Sequence, residues 1–70
     1  MSLSFTSVDD ARNNLIKLGF KATHNVPEKP NTFVETIAVN DVVFHIRTKH
    51  GDVFMWVFNR ITGRFKKLIS

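Results

Sequence analysis

The chain has 70 residues, of which 43% are hydrophobic, with seven Phe, no Cys and a formal net charge of +4. Without Cys it forms neither disulfides nor a thiolate-bound zinc site, and its histidines (His24, His45 and His50) are not spaced as a ligand set. The apolar content is too high for intrinsic disorder, and a domain of this size rests on one modest core, with self-association as a further source of stability.

The pattern along residues 1–70 describes a single α+β domain: one N-terminal amphipathic helix packed on a 3-4 stranded antiparallel β-meander. Ser7-Val8-Asp9-Asp10 puts a hydroxyl at the N-cap and an acid at N3, the reciprocal capping pattern, and both acids suit the positive end of the helix dipole. Val8, Ala11, Leu15 and Leu18 then make one helical stripe that Ile16 widens, with Arg12, Asn13, Asn14 and Lys17 on the other side. Gly19 is placed to end the helix, Phe20 to pack back on its last turn, and Phe5 to do the same at its start. These signals predict a helix over 8–18.

Residues 20–25 can form a short first strand, and Pro27 and Pro30 make 26–31 a loop. Residues 32–39 and 42–49 read as a hairpin about Asn40-Asp41, two residues that tolerate positive φ. That turn pairs Val39 with Val42, Ile37 with Phe44 and Glu35 with Ile46. Strand alternation then puts Ile37, Val39, Val42, Phe44 and Ile46 on the face the helix covers, and Val34, Thr36, Ala38, Val43, His45, Arg47 and Lys49 on the opposite face. Val53–Phe58 is apolar at every position and is expected to be a central strand. A four-residue loop, Arg60 to Gly63, pairs Asn59 with Arg64 and Phe58 with Phe65. Phe54, Trp56, Phe58, Phe65, Lys67 and Ile69 share one face of this second hairpin, and Val53, Met55, Val57, Lys66 and Leu68 the other.

The number of residues in the turn around His50-Gly51-Asp52 decides which of these sets meets the core, because a slip of one residue reverses every side chain. An even turn sends Val53, Met55 and Val57 inward. Phe54, Trp56, Phe58 and Phe65 then join His45, Arg47 and Lys67 in an aromatic and basic platform, the chemistry of single-stranded nucleic-acid binding or of a protein hot spot. A turn of three residues instead sends the aromatic rings into the core, where large aromatics usually lie.

Charge is uneven: from Arg47 onward Arg47, Lys49, Arg60, Arg64, Lys66 and Lys67 face one acid, Asp52. Such a half attracts anionic partners, or it keeps an apolar sheet soluble and its edge from pairing with another. The candidate binding residues are His45, Arg47, Lys49, Phe54, Trp56, Phe58, Arg60, Arg64 and Lys67. The expected function is that of a non-enzymatic small basic binding module that regulates or adapts a partner protein through the sheet face, of the kind phages and other mobile elements encode. One alternative is nucleic-acid binding on an aromatic and basic surface. The other is a small toxin-like ribonuclease, with His45 as acid or base beside Arg47, Lys49 and Arg64. No catalytic residue, metal site or cofactor is assigned. The longest apolar run, Val53–Phe58, is far short of the about 20 residues a membrane helix needs, and no signal-peptide pattern opens the chain. A cytoplasmic protein, possible homodimer and no membrane partner are expected.

Overall fold

The computed structural model describes residues 6–69. Its elements are α1 (Val8–Lys17), β1 (Lys21–Ala22), β2 (Thr32–Ile37), β3 (Asp41–Arg47), β4 (Val53–Asn59) and β5 (Arg64–Ile69), and the strands lie in one sheet in sequence order. The protein is α+β, with five strands where three or four were expected, and the sheet is mixed: β1 pairs parallel to β2, and the other neighbours are antiparallel.

Both helix ends follow from local chemistry. The Ser7 hydroxyl accepts from the Asp10 amide at 3.0 Å, and Asp10 reaches back to the amide of Thr6 rather than of Ser7 itself. At the other end Phe20 N donates to Leu15 O and Gly19 N to Ile16 O, each at 3.0 Å, with Gly19 left-handed at φ 96°. This paired closure satisfies carbonyls the helix cannot, and it requires a residue that tolerates positive φ at 19. The proposed packing of Phe5 lies outside the described residues.

Asn31 makes the first strand pair parallel. It is left-handed (φ 64°), its carbonyl accepts from Lys21 N at 3.0 Å, and its side-chain amide donates to Gly19 O at 2.7 Å. The chain therefore enters β2 beside the start of β1, after the loop 23–31 has carried it back with Pro27 buried. Of the expected strand 20–25 Lys21–Ala22 forms β1, and Thr23 N adds one more bond to Phe33 O at 2.8 Å.

The β2–β3 hairpin closes one residue earlier than the expected Asn40-Asp41 turn. Ala38 N donates to Asp41 O at 2.8 Å, Val39 and Asn40 form the turn, and Ile37 faces Val42. Asp41 is drawn into β3 because it pairs with Asn59 of β4, and Arg60 N then reaches Asn40 O at 2.7 Å. The register moves by two, so faces are kept but neighbours change. Phe33, not Glu35, sits opposite Ile46, and Glu35, not Ile37, opposite Phe44. Ile37 and Val39, expected in the core, are 68% and 89% exposed. The core consists of Ala11, Leu15, Phe33, Val42, Phe44 and Ile46. Leu18 and Ile16, expected on the apolar stripe, are exposed.

Arg12, expected on the solvent side of the helix, bridges it to the sheet. Its Nε and Nη2 donate to the two carboxylate oxygens of Glu35 at 2.8 and 2.9 Å, and Nη1 donates to Asp9 at 3.2 Å. The hydrogen bond and the charge of Glu35 raise the pKa of the guanidinium further, so it is charged at every working pH. The Arg12 side chain is 43% exposed, so water and salt screen the pair.

A double-mutant cycle of Arg12→Ala and Glu35→Ala, read by denaturant unfolding, should give a coupling of about 0.5–1 kcal/mol that shrinks as salt rises. A coupling indistinguishable from zero at low salt would show that the bidentate geometry stabilises nothing. Phe44→Ala removes a fully buried ring and should cost about 3–5 kcal/mol, comparable to the whole stability of a domain this small. The expected result is loss of a cooperative thermal transition. A melting point within a few degrees of the parent would contradict this core.

Candidate functional site

The β3–β4 turn is odd. Arg47 faces Val53, Thr48 N donates to Asp52 O at 2.8 Å, and Lys49, His50 and Gly51 lie between. Three residues thus make the turn, one position earlier than His50-Gly51-Asp52. Ile46 faces Phe54, Phe44 faces Trp56, and Val42 faces Phe58, so the aromatic side chains of β4 share the helix-covered face, here called the inner face. The β4–β5 turn follows expectation: Asn59 faces Arg64, Phe58 faces Phe65, and Gly63 is left-handed at φ 71°. The Asn59 carboxamide oxygen accepts from the amides of Ile61 and Thr62 at 2.9 Å.

A ten-residue helix cannot cover five strands. It lies over Phe33, Phe44 and Ile46, and the rings of β4 and β5 remain half-buried, packed on one another beside it. Phe58 and Phe65 stand 4.8 Å apart at the centroids, and Trp56 meets Phe65 edge-on at 6.3 Å. Lys67 Nζ lies 4.8 Å from the Phe54 centroid and 5.9 Å from that of Trp56, a cation held on ring faces.

The outer face is the more exposed of the two. Val34 and Thr36 of β2, Val43 and His45 of β3, Met55 and Val57 of β4, and Lys66 and Leu68 of β5 point to it by register. No helix lies on that face among the described residues. It is partly walled by His24, Asn25 and Val26, which with Val34, Thr36, Val43, His45 and Met55 line an open groove of about 420 Å³. Arg47 also points outward, and its guanidinium is engaged: Nε donates to Pro27 O at 2.9 Å and Nη1 to Gly51 O at 3.0 Å. It fastens the crossing loop and the β3–β4 turn to the sheet.

The nine candidate residues therefore do not form one surface. Phe54, Trp56, Phe58 and Lys67 lie inside, His45, Arg47 and Arg64 outside. Lys49 and Arg60 occupy turns at opposite ends of the sheet, about 20 Å apart along a seven-residue strand. The aromatic and basic platform of the even register does not form, because the odd turn separates rings from cations. Val34, Val43, Met55, Val57, Lys66 and Leu68 were not singled out as site residues. Their signal was present in the sequence, since apolar residues on both faces of β4 leave one set without a helix. Among the described residues no group of three or more His, Asp or Glu side chains is placed to hold a metal ion, and no helix is long and apolar enough to cross a membrane. Comparison with protein-family models, curated proteins and solved structures finds no match to this chain.

Inserting one glycine between His50 and Gly51 makes the turn even and should expel the rings. Trp56 emission should shift to the red and lose its partial protection from acrylamide, with loss of the thermal transition. The parent protein, diluted well below any dimerisation range, should keep a blue-shifted, partly protected Trp56. Equal quenching of parent and insertion variant would refute the odd register.

Proposed function

We propose that this chain is a non-enzymatic binding module that holds a partner protein against the outer face of its sheet. The observation that carries it is the apolar band of Val34, Val43, Met55, Val57 and Leu68, which crosses four strands on the face away from α1. An antiparallel sheet with one open face ordinarily alternates apolar inside and polar outside. Here β4 is apolar on both sides and Val34, Val43 and Leu68 extend its outer set onto the neighbouring strands among polar residues, and a contiguous apolar patch on a small protein marks an interaction surface.

The nucleic-acid alternative draws less support. Its stacking rings share the inner face with α1 and lie against one another, and Lys67 already sits on two of them. The outer face carries cations without Phe or Trp rings beside them. The ribonuclease alternative needs a base beside free cations. His45 instead stands between Val34 and Met55 on neighbouring strands, and Arg47 is bound to two backbone carbonyls.

A photo-crosslinking amino acid at Met55 tests the proposal, with the same group at Ile61, an exposed turn residue, as control. Crosslinking in an extract of the source cells should yield discrete protein adducts at 55 that resist nuclease and are much weaker at 61. Adducts equal at both positions, or removed by nuclease, would sink it.

A further inference from the structure

We infer that the element seated on the outer face is an amphipathic helix carrying acidic residues along one flank. This rests on the outer face being the interaction surface, as proposed above, and adds the chemistry of what it takes.

The first argument is backbone satisfaction. On the floor of the groove Val34, Val43 and Met55 offer no hydrogen bonds, and Thr36 and His45 offer only single side-chain groups. An extended segment laid on such a floor would bury most of its amide and carbonyl groups without partners, whereas a helix satisfies its own. The second is width. From β2 to β5 is three strand spacings, about 14 Å, and a helix with its side chains is about 10–12 Å across. The strip of His24, Asn25 and Val26 bounds the β2 side and the outward residues of β5 bound the other.

Charge fixes the third property. Arg64 and Lys66 point outward from β5, both are exposed, and neither makes an ion pair among the described residues. No Asp or Glu occurs from Val53 to the end of the sequence. The two cations are one strand repeat apart, about 6.8 Å. Acids four apart on a helix rise about 6 Å, so a helix along β5 can set one carboxylate on each. Asp41, the acid on the outer side of β3, shares a cross-strand row with Arg64 but stands two strand spacings, about 10 Å, from it with Asn59 between them. A second copy of the chain is a poor source of this helix, because its one described helix already buries Ala11 and Leu15 in its own core.

The test uses two labelled helical peptides of equal length with the same leucine face, one with Glu and one with Lys along the β5-side flank. Each is titrated into the full chain while methyl signals are followed by NMR. The Glu peptide should bind roughly tenfold or more tightly than the Lys peptide, with affinity falling as salt rises. It should move the methyls of Val43, Met55, Val57 and Leu68 and leave Val42 and Ile46 in place. Arg64→Glu with Lys66→Glu should invert the preference. Both sites are exposed, so unchanged Trp56 emission verifies the fold, and Lys66→Gln alone should give a smaller loss in the same direction. Equal affinity for the two peptides, no binding of the Glu peptide, shifts confined to Val42 and Ile46, or a dimer that occupies the face would each overturn the assignment. If Met55 crosslinks a protein while the peptides bind alike, the acidic-helix assignment falls and the interaction surface stands. If Met55 yields no protein adduct, the surface itself falls.

Discussion

Thr48 closes the β3–β4 turn with both its backbone and its side chain. Its amide donates to Asp52 O, its carbonyl accepts from Gly51 N, and its hydroxyl accepts from the amides of His50 and Asp52 at 3.3 and 3.1 Å. Gly51 takes the left-handed conformation at φ 90° that lets three residues turn the chain. Arg47 reinforces the turn through Gly51 O. An odd turn fixes the parity of β4, and parity carries through the β4–β5 hairpin to β5. Where every ring, cation and apolar side chain of the C-terminal half points is settled by these few hydrogen bonds.

One consequence is a shortage of helix. The sheet carries apolar residues on both faces, and α1 is long enough for part of one. On the inner face the unmet remainder is filled by aromatic side chains packing on each other, with Lys67 laid across them. Rings suit this, since each buries a large area and edge contacts add to it. On the outer face the remainder is smaller aliphatic side chains and Met55, which cannot cover one another in this way. The crossing loop, anchored by Arg47 on Pro27 O, shelters one side of that face. The rest stays open.

What the sequence made legible was local. The N-cap at Ser7, the closure at Gly19 and Phe20, and the Asn59 to Gly63 turn depend on residues within a few positions of each other, and each formed as expected. What it hid was non-local. Asp41 looked like a turn residue and became a strand residue because Asn59, eighteen positions on, pairs with it. That pulled Ile37 and Val39 out of the core and put Phe33 in. Arg12 looked solvated by helical position and meets Glu35 across the fold. Asn31 looked like one more loop polar residue and ties the helix end, β1 and Thr48 O together. The parity of the β3–β4 turn fell between these cases, since both turn lengths fit the strand pattern and side-chain hydrogen bonds chose one.

The same parity divides the basic charge by task. A cluster of cations in the last third of the sequence suggests a single electrostatic surface. In the fold, Arg47 is bound to backbone carbonyls and Lys67 to aromatic rings, while Lys49 and Arg60 sit in turns at opposite ends. Arg64 and Lys66 remain side by side on the outer face next to Leu68. A field spread over both faces would draw a polyanion without orienting it. Two cations along one margin of an apolar band do the reverse, because burial supplies the affinity and the charges at one side choose the direction in which an occupant lies.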